Sequence, residues 1–320
     1  MGNNEKLSIS IVTMNNMQIN RNCLNSIFEQ TKGVSFKVFV LDNNSSDDTV
    51  NMIRKDFPQV ELIESDTNRW FTTNQNILLR KISSEYALLL NNDTVFTDNS
   101  IKTMVDFLDL NPGIGAIACK ILNYDGSFQP TSLRCDYDLL TIFSVKSGLA
   151  RIFPKSKICG RVFMGYADRD ASQELPVYSG ACVMLRKKAI DDIGLLDENI
   201  KFGPDDYDYS YRLRKKGWKI FYLPAASVIH IGNQTRKTNP DLLLEEVRGI
   251  FYFFLKHYGK FQTLILKILM LSGVLFKVIV LPFFCLAGKI KPAELKNNLE
   301  LQIKVAKTTI LYPFKSIDLK

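Results

Sequence analysis

The 320-residue sequence predicts an α/β fold, a parallel sheet covered by helices on both faces and followed by a C-terminal helical tail. β-rich runs alternate with stretches of helical period through the first hundred residues, the pattern of a crossover-connected sheet. Every such run ends in a cluster of Asn, Asp, Ser or Thr. Composition also changes near residue 240: residues 241–320 carry +6 of the total +8, which leaves the front nearly neutral. With 46% hydrophobic and 23% charged residues the chain is an ordinary globular one, which excludes disordered, collagen-like and disulfide-scaffold classes.

Residues 7–13 (LSISIVT), 36–41 (FKVFVL), 60–64 (VELIE) and 85–90 (EYALLL) read as strands, with helices at about 18–30, 47–56 and 72–82 between them. In such sheets a ligand sits beyond the carboxyl ends of the strands. Those ends carry Thr13–Met14–Asn15–Asn16, Asp42–Asn43–Asn44–Ser45–Ser46, Ser65–Asp66–Thr67–Asn68 and Asn91–Asn92–Asp93. Turn and cap formation accounts for Ser45, Ser46, Asp47 and Asp98. It accounts less well for Asp42 and Asp93, each directly after a β-rich run on the ligand edge.

Further on, residues 114–122 read as a strand and 123–126 as a turn. Residues 127–175 lack a clean period and are expected as loops with short elements, a lid. A strand at 177–186, a short helix at 187–193 and a helix at 205–216 ended by Gly217 follow. Residues 219–223 and 227–231 read as two short strands. No GxGxxG or GxxxxGK[ST] lies near the first turn, which disfavours a dinucleotide dehydrogenase or P-loop enzyme. The charge balance disfavours a nucleic-acid binder. Six cysteines without a CxxC pair fit a reducing compartment, and the N-terminus shows no signal-peptide core.

Asn91 and Asp93 place oxygen ligands at i and i+2, which suits either a turn or a hard cation such as Mg²⁺ or Mn²⁺. His230, in the apolar stretch SVIHIG, suits a satisfied core position or a metal site. Asp205, Asp206 and Asp208 open a helix, where acids favour the dipole. Their mutual repulsion also raises the proton affinity of at least one, as a general base requires.

The ordered series Thr13/Asn15, LDNNSSDDT with Asp42, LLLNND, SGACVMLRK, GPDDYDYSYRLRKKGW and SVIHIGN resembles family 2 glycosyltransferases of the GT-A fold. The resemblance covers roughly residues 6–235 and is notably to the rhamnosyltransferase-like branch of bacterial cell-surface polysaccharide synthesis. The resemblance implies a Rossmann-like nucleotide-binding sheet, with 1–97 as the nucleotide-binding half and 98–240 as the acceptor-binding half of one catalytic domain. It implies that Asp42 reads the donor's nucleobase beside Thr13 and Asn15, that Asn76 and Asn91 line the donor site, and that Asp93 and His230 hold Mg²⁺ or Mn²⁺. Asp206 is then the general base of an inverting transfer from a nucleotide-sugar, rhamnose-like or other hexose, to a saccharide or lipid-linked saccharide acceptor. Two departures stand out. The family's NxGFaxGNN segment runs Asn68–Arg69–Trp70–Phe71–Thr72–Thr73–Asn74–Gln75–Asn76 without its glycines, and Asn91 replaces the first acid of the DxD pair. The alternative they raise is a catalytically weakened nucleotide-sugar-binding or membrane scaffold protein.

In the tail, Arg248, Lys256, Lys260, Lys267 and Lys277 fall within one arc if residues 248–277 form a continuous helix. That predicts a basic stripe opposite an apolar face, docked at the inner membrane surface. Packing on the core, a homodimer contact or a true membrane span are the other uses open to it, the span disfavoured because Lys267 and Lys277 interrupt the apolar runs. The expected location is cytoplasmic, peripheral at the inner face of the membrane.

Overall fold

The computed structural model describes residues 5–232 and 242–314, so the composition break near residue 240 lies outside the described residues. The first half follows the predicted order: β1 (Leu7–Thr13), α1 (Met17–Gln30), β2 (Phe36–Asp42), α2 (Thr49–Asp56), β3 (Glu61–Glu64), α3 (Phe71–Leu79) and β4 (Tyr86–Asn91). β3, β2, β1 and β4 are parallel neighbours in that order. β1 alternates Leu, Ser, Ile and Ser yet is buried on both faces. Its two hydroxyls are satisfied inside, Ser8 by Ser84 Oγ at 2.7 Å and Ser10 by Gln75 Nε2 at 2.5 Å. A covered central strand therefore tolerates a polar alternation when each hydroxyl finds a partner.

The second half adds β5 (Thr94–Val95), α4 (Ser100–Leu110), β6 (Ile114–Leu122), α5 (Leu139–Lys146), α6 (Leu149–Ile152), β7 (Gln173–Glu174), β8 (Cys182–Arg186), α7 (Lys187–Ile193), α8 (Asp205–Lys215) and β9 (Lys219–His230). The sheet continues from β4 through β8, β6 and β9 to β5, with β8 antiparallel to both neighbours. The two short strands expected at 219–231 are one strand, whose register on β6 jumps from Leu223 to Ser227 across the Pro224 stretch. The strand expected over 177–186 is regular only from Cys182. A two-residue strand without periodic signal, β5, pairs antiparallel with the end of β9, Thr94 opposite His230.

The tail forms α9 (Leu242–His257), α10 (Gly259–Leu286) and α11 (Pro292–Leu311). The continuous helix expected across residues 248–277 is interrupted: Gly259, at φ +81°, separates α9 from α10. The expected basic stripe does not form either. Lys256 and Lys267 turn inward, Lys267 donating to the Tyr312 carbonyl at 2.6 Å. α9 packs so closely that a Cβ on Gly249 would stand 2.8 Å from Pro204 Cδ. Phe251, Phe253 and Phe254 are buried with Tyr207, Val177 and Ile142, and roughly 1.5–3 kcal/mol for each buried phenylalanine seats α9 firmly against α8 and its neighbours.

Candidate active site

At the carboxyl edge the loops after β1 and β2 are locked to each other. Asn15 and Asn16 take left-handed conformations, as does Asn44, which asparagine tolerates better than most residues. The Asp42 carboxylate accepts from Ser45 N–H at 2.9 Å and from the Ser45 hydroxyl. Ser45 Oγ in turn accepts from Asn15 N–H at 2.7 Å, and Asn15 Oδ1 accepts from Ser46 N–H at 2.8 Å. Ser45 and Ser46 are thus more than turn formers. Thr13 is buried and donates to Asn20 Oδ1 at 2.5 Å, while Asn92 Nδ2 donates back to Thr13 at 3.1 Å. This ties the ends of β1 and β4 together. The glycine-free segment is held by Asn43, which accepts from Arg69 N–H at 2.8 Å and donates to Arg69 O at 2.9 Å. Asn76 lies apart from this cluster. It is buried, donates to Leu196 O and Glu198 at 2.9 Å each and accepts from Leu196 N–H, so its amide is spent on positioning the 196–198 loop.

The β5–β9 pairing brings together Asn91, Asp93 and His230. His230 Nε2 stands 3.3 Å from Asp93 Oδ1 and 3.4 Å from Asn91 Nδ2. Its Nδ1 lies 2.9 Å from Gln129 Oε1, and the Gln129 amide is oriented by donating to Asn123 Oδ1 at 3.0 Å. With the proton on Nδ1, the lone pair of Nε2 faces the Asp93 carboxylate, with the Asn91 amide N–H at its side. Two acceptors in that relation call for a positive centre between them, either a proton or a cation. Burial opposes the ionisation of Asp93, but His230, with that proton on Nε2, and the Gly232 N–H, at 3.0 Å, hold its carboxyl below the usual aspartate range. Among the described residues no three acid, His or Cys side chains converge as a metal cluster. The protein offers two such donors and the Asn91 amide, an open set of the kind that Mg²⁺ or Mn²⁺ completes with substrate phosphate and water.

The third group sits on the first turn of α8. Asp206 is buried at 7% exposure; Arg134 pairs with its Oδ2, and the guanidinium lies 4.3 Å from the centre of the Tyr207 ring. Oδ1 is enclosed and has no hydrogen-bond partner within the described structure. Leaving such an oxygen unsatisfied costs about 1–3 kcal/mol or more for a charged group, so Oδ1 retains its capacity to accept a hydrogen bond. The crowding of acids has the expected consequence at Asp205, whose carboxyl is pushed up to about 8 by burial and by the Asp206 charge. Asp208 goes the other way. Despite burial, His257 and Lys256 at 2.7 Å and Arg212 at 2.8 Å hold it well below the aspartate range.

A single segment joins the second and third groups. Gln129 contacts His230, a 3-10 turn at Pro130–Ser132 follows, and Arg134 contacts Asp206. Asn91 N–H also donates to Ala181 O at 2.9 Å, next to Gly180, whose added Cβ would meet Asp206 at 3.8 Å. Gln129 and Arg134 lie in the stretch without sequence period, and no local signal singles them out.

The family model for "Glycosyl transferase family 2" matches residues 8–194, more than half of the chain. A curated relative, the N-acetylglucosaminyl-diphospho-decaprenol L-rhamnosyltransferase of Mycobacterium tuberculosis, is 25% identical over 237 residues, 69% of this chain and 76% of that protein. Among solved structures, a mannosyltransferase from Pyrobaculum calidifontis in complex with GDP-Man and Mn²⁺ matches 96% of this chain and 86% of its own at TM-score 0.57 and 14% identity. GalNAc-T7 with UDP, GalNAc and Mn²⁺ matches 79% of this chain and 50% of its own at TM-score 0.57 and 14% identity. These two likenesses establish the GT-A-like fold.

Proposed function

The chain belongs to glycosyl transferase family 2, and from that membership we propose that it transfers a sugar from a nucleotide-sugar to a lipid-linked saccharide, with inversion, using Asp206 as general base. The lipid-linked acceptor is supported by the name of the mycobacterial relative, whose acceptor is a saccharide on a polyprenyl diphosphate. The donor nucleotide is assigned to the locked loops after β1 and β2. There Asp42, steadied by Ser45, retains lone pairs to accept from a nucleobase, with Thr13 and Asn15 shaping the pocket.

Asp93 and His230 would hold the divalent ion, Gln129 fixing the imidazole tautomer, and Asn91, whose amide nitrogen lies 3.4 Å from His230 Nε2, would add its oxygen by turning its amide over. When bound, Mg²⁺ or Mn²⁺ offsets the charge that develops on the departing diphosphate. Arg134 occupies one oxygen of Asp206 and so orients the other. The acceptor hydroxyl donates its proton to Oδ1, and its oxygen bonds the anomeric carbon as the opposite carbon–oxygen bond to the diphosphate breaks. The enclosed, partnerless Oδ1 beside a clamped Oδ2 is the observation that carries this reading.

The test is to incubate the protein with Mn²⁺, a panel of nucleotide-sugars and a lipid-linked saccharide, and to read the product's anomeric configuration by NMR. Nucleoside diphosphate release with an inverted linkage is the expected result; a retained configuration would contradict the base assignment. A donor-binding protein without transfer activity is the second reading, favoured by Trp70 and Asn74 in place of the glycines, with bulky Arg69 beside them. Donor binding without any diphosphate release would establish that reading instead.

A further inference from the structure

α10 and the segment around α5 and α6 share an unusual surface. No Asp or Glu occurs between Asp138 and Asp168, or between Glu246 and Glu294. Mean hydropathy in α10 reaches 2.5, and 17% of that window is buried. Thr263, Leu266, Lys267 and Met270 face the protein. Phe261, Leu264, Ile268, Leu275, Ile279 and Phe283 are exposed, and at helical spacing they share the opposite side.

α5 lies against α10 at Gly273, where Lys146 Cβ is 3.9 Å from the position of an added Cβ. α5 exposes Phe143, and beyond it the chain exposes Ile152, Phe153, Ile158 and Phe163. Arg151, Lys155 and Lys157 are interleaved with them and also exposed. The two acid-free stretches are therefore adjacent. At their junction burial, and then the charge of Lys277, hold the Lys146 ammonium below the usual lysine range, with Glu246 acting in the opposite direction.

Aromatic and aliphatic side chains mixed with cations and no acids match the chemistry of an anionic lipid surface. A two-fold contact between copies would set lysines of this face against lysines. α11 packs along α10 and carries Glu294, Lys296, Glu300, Lys304 and Lys307, so passing α10 through a bilayer would draw charges with it. We infer that the outer face of α10 and residues 143–163 together dock the enzyme flat on an anionic bilayer. This rests on the reading that the acceptor is lipid-borne, and replaces the basic stripe expected from sequence with a surface built from two separate segments.

The full-length protein is sedimented with phosphatidylcholine vesicles with and without phosphatidylglycerol, at low and high salt. Salt-sensitive binding, about tenfold or more tighter on the anionic vesicles, is expected. Lys155→Glu with Lys157→Glu should remove the anionic preference. Ile279→Asp with Phe283→Asp should remove binding to both vesicle types. Donor-induced thermal stabilisation unchanged in both variants shows that they remain folded, and transfer to a detergent-solubilised acceptor should persist. Wild-type binding, vesicle-sensitive to both pairs, without transfer to any lipid-linked acceptor would sink the functional reading and leave docking standing. Transfer to a solubilised lipid-linked acceptor, with no vesicle binding or with variants binding as tightly as wild type, would overturn docking. So would a dimer that dissociates on Ile279→Asp while vesicles stay unbound, since that gives the face to a second copy.

Discussion

Asp206 and Asp208 stand two residues apart on one helix and face different regions of the molecule. Asp208 looks toward the tail, and Lys256 and His257 of α9 together with Arg212 of its own helix saturate it. Asp206 looks toward the ligand edge, with one arginine on one oxygen and nothing on the other. Both are buried carboxylates in a helix's first turn, so neither burial nor helix position distinguishes them. Their partners do. A fully paired charge joins two elements, whereas a half-paired one keeps a lone pair, which the proposed mechanism gives to the acceptor hydroxyl.

The largest expected effect tests the structural side. Asp208→Ala leaves Lys256, His257 and Arg212 without their shared countercharge and should cost about 3–5 kcal/mol in denaturant unfolding. A loss below about 1 kcal/mol would mean that the cluster does not secure α9. On the ligand side, Arg134→Gln should lower kcat about 10–100-fold with donor affinity unchanged, because only the orientation of Asp206 is lost. Arg134→Lys should recover part of that loss, lacking the planar stack on Tyr207. Equal loss in both variants would assign Arg134 to substrate binding instead. Gln129→Ala should weaken Mn²⁺ binding about 10–100-fold in titration calorimetry by releasing the His230 tautomer.

The smallest effect concerns pH. The Asp205 carboxyl is raised to about 8 from an ordinary 3.8, so the folded form keeps a proton that the unfolded chain has lost. Its stabilising contribution is complete below about pH 4 and is lost as pH rises toward 8. Asp205→Asn should therefore flatten the fall of Tm between pH 5 and 8. An unchanged slope would remove Asp205 as its source.

Much of this was legible because local rules coincide with global ones in the front half. The alternating runs locate β1 to β4, and Asp42 and Asp93 stand out as acids at strand ends. The juxtaposition of Asp93 with His230 was legible only through family resemblance, since β5 is too short to leave a period. Gln129 and Arg134 were hidden for a related reason: they flank a 3-10 turn whose position depends on tertiary contacts. The tail misled in a different way. Spacing of Lys256 and Lys267 assumed one helix, but Gly259 breaks it and both amines find buried acceptors.

The most direct test is Asp206→Asn, measured for donor binding by calorimetry and for transfer in the same preparation. Asparagine keeps the size of the side chain but cannot take the proton. Donor affinity within about twofold of wild type and transfer reduced by about 10²–10⁴-fold are predicted; transfer at the wild-type rate would contradict the account.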